Sequence, residues 1–294
     1  MNDLVTRRTR AYFAPVDRAT ATPTLFDAVE NGSFALDTPP APWIDLGWCR
    51  NFKRTGSAVT PLRSGAPAMT YAQVRAEAEA TVELELATWG KLPLALTSGS
   101  QQMNLLTATT AIVQAGSTAA KLQLSDTAGF DTGDLVVVDV DYIGQTGYVG
   151  SGVSGAYVRS AADVNNDASY IRRVSLNVAR VSGIANGALK LETPLLAGAP
   201  TAAMKVSRIA GFVDREGSSF FQEWSALFVM EGEQGDRVIL HYPRLQALHG
   251  AAETAETIAA PLERVRLAGA FRALPVRDAV DGEMVLCLRS YLPA

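Results

Sequence analysis

A mainly β fold is predicted by three features of the chain. A long alternating segment crosses residue 80, a middle third is made of short β-rich pieces between Gly and Asn turns, and alternation returns after residue 219. The order of these textures predicts an outer β-domain of about six or seven strands with one or two helices, built from two separated halves, and a small inserted β-domain between them. The first feature carries most weight. In VRAEAEATVELELATW, residues 74–89, Val74, Ala76, Ala78, Ala80, Val82, Leu84 and Leu86 share one face and Arg75, Glu77, Glu79, Thr81, Glu83 and Glu85 the other. A helix scatters both sets around its circumference; a strand separates them. Glu77, Glu79, Glu83 and Glu85 then form an acidic stripe with no cation interleaved after Arg75. Same-face neighbours along a strand lie about 7 Å apart, so the stripe repels itself. A solvated face that keeps the chain soluble is the plain reading; a wall that repels another polyanion is the functional one.

Composition sets the bounds. The 294 residues are 48% hydrophobic and 19% charged with a formal net charge of −4, which fits folded globular structure and disfavours binding nucleic acid through a broad basic surface. Cys49 and Cys287 have no metal-ligand spacing and read as thiols in apolar runs. The first residues, MNDLVTRRTRAYF, hold basic residues without a following apolar stretch, and no apolar run reaches membrane-spanning length. A soluble chain made in the cytoplasm is the expectation.

In chain order, residues 1–24 carry Arg7, Arg8, Arg10 and Arg18 around a short apolar patch at Tyr12 and Phe13, and read as an N-terminal arm or edge strand. Residues 25–42 are rich in turn signals, with Asn31-Gly32 and Pro39, Pro40 and Pro42. Residues 42–55, PWIDLGWCRNFKRT, place Trp43, Trp48 and Phe52 beside a basic patch of Arg50, Lys53 and Arg54. The small-residue stretch 56–70, GSAVTPLRSGAPAMT, is longer than most connections and reads as a flexible functional loop, with Gly56, Ser57, Arg63, Gly65 and Thr70 as its marks. After the alternating strand, Thr88 is placed to cap a short helix over residues 89–96 that Pro93 limits.

From residue 109 to 211 the texture is that of a separate domain. Strands are expected at 121–125, 135–142, 172–181 and 188–193, with turns at Asp131-Thr132-Gly133-Asp134 and Asn186-Gly187. Residues 212–294 return to the first texture: an apolar strand at 219–231, a turn at 232–235, a strand at 236–242 ended by Pro243, and a polar stretch at 245–260. An alternating strand follows at 262–274, with Val265, Leu267 and Phe271 on one face and the cations Arg264, Arg266 and Arg272 on the other. After an Asp281-Gly282 turn comes a last strand at 284–292. The outer domain therefore comprises 25–108 and 212–294.

Signs of catalysis are sparse. His241 and His249 lie outside any HExxH, and the chain has no GxxxxGK[ST] phosphate loop. The aspartates at 126, 131, 134, 139 and 141 lack EF-hand order, so DTGD reads as a turn. The glutamates lie on one strand with no sugar-stacking aromatics among them, which disfavours glycoside hydrolysis. No catalytic residue, metal set or cofactor site is expected.

Taken together, PWIDLGWCRNFKRT, LRSG (62–65), VRAEAEATVELELATWGKL, RVILHYPRLQ (237–246) and VDGEMVLCLRSYL (280–292) resemble the tail tube proteins of tailed bacteriophages and phage-like particles. The resemblance covers residues 12–106 and 212–292 and leaves the insert out. It implies a tail-tube-type β-sandwich or barrel core with a flanking short helix, in a non-enzymatic virion protein whose homohexameric rings stack into the tail tube. Its partners would be further copies of itself, a terminator, a baseplate, a tape measure protein and DNA in transit; it would have no cofactor and no membrane partner. It places the protein in the virion tail after assembly in the host cytoplasm. On this reading Glu77, Glu79, Glu83 and Glu85 face the lumen, Gly56, Ser57, Arg63, Gly65 and Thr70 belong to the inter-ring loop, and Arg50, Lys53, Arg54, Arg264, Arg266 and Arg272 meet a neighbour's carboxylates. The insert is expected on the outer surface. A terminator or baseplate hub ring is the alternative within this class, and a glycan-binding β-sandwich the alternative outside it.

Overall fold

The structure, a computed structural model, describes residues 6–16, 22–56, 60–74, 79–99, 101–139, 177–195, 198–202, 204–215, 223–248, 252–260 and 262–294. In chain order its elements are β1 (Thr6–Pro15), α1 (Ala28–Asn31), β2 (Ile44–Gly56), β3 (Thr60–Ser64), β4 (Met69–Val74), β5 (Ala80–Leu86) and α2 (Lys91–Ser98). Then come β6 (Gln101–Ile112), β7 (Lys121–Gln123), β8 (Leu135–Asp139), β9 (Val178–Ala185), β10 (Ala188–Leu191) and β11 (Lys205–Arg215). The chain closes with β12 (Glu223–Gly232), β13 (Arg237–Ala247), β14 (Ala252–Ala259), β15 (Leu262–Ala273), β16 (Val276–Arg277), β17 (Met284–Val285) and β18 (Leu288–Leu292). Among these residues no helix is long and apolar enough to cross a membrane.

The chain divides into two compact units, the first built from Met1–Val16, Pro23–Gly99 and Gln222–Ala294, the second from Asp17–Thr22 and Ser100–Phe221. In the first, an eight-stranded sheet runs β14-β15-β5-β2-β1-β12-β13-β18, and β13 also pairs with β15. Strands β15, β5, β2, β1, β12 and β13 therefore close into a barrel. Its interior is aromatic: Phe13 meets Trp224, Phe228 and Phe271 at centroid distances of 6.4, 6.0 and 5.7 Å, and Phe52 meets Phe228 at 4.9 Å. Tilted and edge-to-face ring pairs of this kind add to the burial of large apolar area. The inner face of β5 is the one its period of two predicts, with Ala80, Val82, Leu84 and Leu86 all buried.

The segment expected as an N-terminal arm or edge strand contributes a central strand. β1 lies between β2 and β12, and Ala11, Tyr12, Phe13 and Ala14 are all buried. Both faces are covered because the segment from residue 23 to 43 straps the outer side. Phe26, Phe34 and Leu36 pack there against Tyr12, Trp43, Leu227, Val229 and Ile239. Polar ties hold the strap: Tyr12 donates to the Leu36 carbonyl at 2.7 Å, and Arg237 donates to the carbonyls of Gly32 and Phe34. Asn31-Gly32, expected as a tight turn, ends the one-turn helix α1, whose first amides bond to Asp27. Arg10 forks onto Asp45 across the β1–β2 ladder and lies 5.3 Å from the Trp48 ring; the Asp45 hydrogen bond raises its pKa further.

Other boundaries shift for local reasons. Helix α2 starts at Lys91 after Gly90, with no side-chain cap, so Thr88 does not cap it. Pro93 sits in the first turn, where a missing N–H costs nothing. A Cβ on Gly269 would lie 2.9 Å from both Thr97 and Phe271 side-chain atoms, so Gly269 lets α2 approach β15. Pro243 does not end β13. It falls between the residues that pair with β18 (237–241) and those that pair with β15 (245–247), where no ladder amide is required. The polar stretch 245–260 contributes the end of β13 and all of β14, and the expected last strand is split into β17 and β18.

The second unit is a six-stranded sheet in the order β6-β11-β8-β9-β10-β7. A bridge between Val113 and Leu124 ties its first strand back to its last. Its core gathers Leu122, Val136, Val138, Val181, Leu189 and Val206. β6 and β11 pair from Gln101 with Arg215 to Ile112 with Lys205, so this unit begins earlier and ends later than the 109–211 expected from texture. β9 starts at Val178 and runs on to Ala185, beyond the strand expected at 172–181. Residues 172–176 of that expected strand, and residues 140–142, lie outside the described residues. DTGD is a turn: Gly133 has φ +97° and the Asp131 amide donates to Asp134 Oδ2 at 2.8 Å.

Candidate functional site

Four neighbouring strands, β14, β15, β5 and β2, present one continuous outer face. β5 supplies Thr81, Glu83 and Glu85 to it, because the alternate residues are in the core. Glu79, just before the strand, is exposed. Glu77 lies outside the described residues.

The carboxylates on this face are not unopposed. β2 runs antiparallel to β5 with Arg50 across from Glu85 and Lys53 across from Glu83. Lys53 Nζ reaches Glu83 at 3.7 Å with both side chains largely in solvent, and Asn51 Nδ2 donates to Glu85 at 2.8 Å. A bulge makes this possible: the ladder skips between Arg50 and Lys53, and Asn51 there has φ +51°, which Asn tolerates better than most residues. On the other side of β5, Ala268 and Ala270 face Glu85 and Glu83, and Arg272 faces Thr81. Farther along β15, Arg264 lies across from Glu256 of β14, and the guanidinium of Arg266 binds the Glu256 carboxylate. That hydrogen bond is the main reason the Glu256 pKa is lowered, with Arg50 and Arg264 adding through space. The face therefore carries Arg50, Lys53, Arg264, Arg266 and Arg272 against Glu83, Glu85 and Glu256. It is a mixed-charge face, not the acidic stripe that residues 74–89 suggest alone.

The six cations expected to meet a neighbour's carboxylates thus divide. Lys53 and Arg266 are paired with carboxylates of their own chain. Arg54 is across from Val82 and so on the inner side, where it donates to the Tyr242 hydroxyl at 2.7 Å; burial raises that hydroxyl's pKa. Arg50, Arg264 and Arg272 are exposed.

The expected flexible loop is ordered as a hairpin. β3 and β4 form their own two-stranded sheet, in which Arg63 and Thr70 are cross-strand partners. Gly65, with φ +92°, begins the turn. Gly56 is the last residue of β2, and Ser57 lies outside the described residues. Residues 63–70 are all exposed, including Met69 at 69%. Pro61 fits because both strands of a two-stranded sheet are edges.

Beside the mixed face, a cleft of about 790 Å³ is lined by residues that include Thr9, Trp48, Arg50, Asn51, Thr88 and Arg264. It opens where Gly47, at φ +79°, bends β2. Sequence reading missed this cleft, although the Asp45-Leu46-Gly47 step that shapes it is visible: the Gly47 amide bonds to Asp45 Oδ1 at 2.8 Å.

Titratable side chains elsewhere serve packing. His241 is buried with edge contacts to Phe26 and Trp43; its Nε2 lies 3.3 Å from the Thr24 carbonyl, and burial lowers its pKa to about 4. Burial also pushes the Cys49 thiol up to about 11, so it is a protonated thiol near neutral pH. Cys287 is partly buried, and both cysteines are free. Among the described residues no group of three or more His, Cys, Asp or Glu is placed to hold a metal. His249 lies outside the described residues. No family model matches the chain, and no curated protein matches it in sequence.

Proposed function

We propose that this chain is a structural protein of a phage or phage-like tail, whose copies form closed rings that stack into a DNA-conducting tube. The observation that carries the reading is the self-paired β3–β4 hairpin, which leaves the barrel between β2 and β5 and has exposed residues throughout its turn. A two-stranded hairpin alone in water is marginal. Cover from a neighbouring copy gives it a reason to be ordered, at the position where the family resemblance puts the inter-ring contact. The mixed-charge face of β14, β15, β5 and β2 is the candidate channel wall. Arg50, Arg264 and Arg272 on it are exposed, so only its stretch around Glu79, Glu83 and Glu85 disfavours phosphate, and Lys53 and Arg266 are held in ion pairs with Glu83 and Glu256. Cations so engaged are poorer traps for DNA than free ones, since DNA binding draws on counterion release by unpaired Lys and Arg. The second unit is assigned to the outer surface of the tube.

Sedimentation velocity of the purified chain over a range of concentration tests this reading. A ladder of species growing by whole rings is the expected result. A single closed ring that never propagates would redirect the assignment to a terminator or hub ring, whose contacts close without extending. A monomer at every concentration contradicts both.

A further inference from the structure

The β16–β17 hairpin is a second projection that neither barrel closure nor the inter-ring hairpin uses. Its two strands pair through Val276 with Val285 and Arg277 with Met284. Its tip, residues 278–283, carries Asp278, Asp281 and Glu283 and exposes Val280 to 94%. The tip holds itself in one shape: Asp278 Oδ1 accepts from the Val280 amide at 2.8 Å, Asp281 Oδ1 from the Glu283 amide at 2.9 Å, and the Asp278 amide donates to the Glu283 carbonyl at 2.8 Å. Three carboxylates and an exposed valine are therefore presented together, with Arg277 the one cation on the same hairpin.

The cleft lined by Trp48, Arg50, Asn51 and Arg264 has the opposite character. Its lining residues include two guanidinium groups and no carboxylate. Neither guanidinium has a hydrogen-bond partner among the described residues. The two carboxylates nearest in the ladder are already engaged, Glu85 by Asn51 and Glu256 by Arg266.

Cleft and hairpin sit at opposite ends of one strand. Arg264 is near the start of β15, and β16 follows its end. From Arg264 to Ala273 the strand spans about 30 Å, so the hairpin of a chain does not reach that chain's own cleft. We infer that the acidic β16–β17 tip of one copy docks in the cationic cleft of the next, with Val280 entering beside Trp48 and the tip carboxylates facing Arg50 and Arg264. Such a contact is heterologous: each copy uses its tip on one neighbour and its cleft on another, which propagates head to tail. It rests on the self-assembly reading above and names a contact within it. Because the charges are at the surface, the contact weakens as salt rises.

Two variants of the full chain test it. Asp278→Asn, Asp281→Asn and Glu283→Gln together remove the tip charge and keep every turn acceptor. Arg50→Glu with Arg264→Glu reverses the cleft. Thermal unfolding at the wild-type midpoint shows that each folds; where the reversed cleft disturbs β2, Arg264→Gln alone replaces it. Each variant is expected to associate with itself on the order of tenfold more weakly than wild type, the size expected from losing a few surface ion pairs. An equimolar mixture should form a hetero-pair, since the reversed-cleft chain keeps its tip and the neutral-tip chain keeps its cleft. Wild-type-like growth of both variants overturns this contact and leaves the tube reading standing. Absence of association in wild type, variants and mixture alike overturns the contact together with the tube reading.

Discussion

Two hairpins of the first unit use the same backbone ladder and have opposite fates. In β12–β13 the pairing runs from Glu223 with Gln246 to Glu231 with Arg237, and Trp224 through Val229 are buried without a break. In β3–β4 the pairing runs from Thr60 with Val74 to Ser64 with Met69, and residues 63–70 are all exposed. The hydrogen bonds are of one kind. What differs is cover: β12–β13 has the barrel interior on one side and the strap 23–43 on the other, while β3–β4 has neither. Ladder bonds contribute modestly net of water, whereas burial of aromatic and aliphatic area contributes most. The covered hairpin holds the barrel; in the proposed assembly the uncovered one takes its cover from another copy.

The largest effect that sharpens this contrast is expected from Phe228→Ala, which opens a cavity among Phe13, Phe52 and Tyr242. It should cost about 3–5 kcal/mol in urea unfolding. Met69→Ala on the other hairpin should change stability by no more than about 0.5 kcal/mol. Equal losses at the two sites would mean that cover does not set the two hairpins apart.

Next in size is a pH effect confined to the covered hairpin. His241 has its folded pKa lowered to about 4 from 6.5, so the unfolded chain binds the extra proton first. The stability this neutral ring contributes is complete above pH 6.5 and falls as pH drops toward 4, by up to about 3 kcal/mol. Denaturation midpoints measured from pH 7.5 to 4 should show this slope, and His241→Leu should flatten it. An unchanged slope in that variant would assign the acid sensitivity elsewhere. A smaller change is expected from Arg244→Ala, which removes a two-bond pair with Glu223 at 2.7 and 2.9 Å. A loss of about 1 kcal/mol is expected at this half-buried position.

Two changes on exposed elements should leave monomer stability nearly unchanged and act on assembly and function. Replacing residues 60–74 by a short Gly/Ser linker should shift the unfolding free energy by no more than about 0.5 kcal/mol and stop polymerisation; long tubes from that variant would remove the hairpin from the mechanism. Glu79→Lys with Glu83→Lys should preserve tubes and impair DNA passage in particles carrying it. Normal DNA delivery would take those residues off the channel wall.

Much of the fold was legible where one element carries its own signal. Ala80, Val82, Leu84 and Leu86 are buried as a period of two requires; on β15 Leu267 and Phe271 follow the same rule, while Val265 is 40% exposed and Arg266 is buried. Legibility failed where a distant partner decides. β1 reads as an arm because Arg7, Arg8 and Arg10 look solvated, and only Asp45 and the strap 23–43 make its outer face a buried one. β14, AETAETIA, has no apolar face of its own and is a strand because β15 pairs with it. The mixed character of the candidate channel face was hidden for the same reason. Glu83 and Glu85 meet Lys53 and Asn51 only through the β2–β5 register, which the bulge at Asn51 shifts. The stretch 56–70 failed differently: its Pro and Gly punctuation is real, and it bounds strands too short to alternate visibly.

The central claim is that copies of this chain stack into a hollow tube. Negative-stain electron microscopy of the concentrated purified protein tests it most directly. Tubes or stacks of uniform rings with a stain-filled lumen are the expected result. Uniform isolated particles across salt and concentration, with no ring and no lumen, would contradict it.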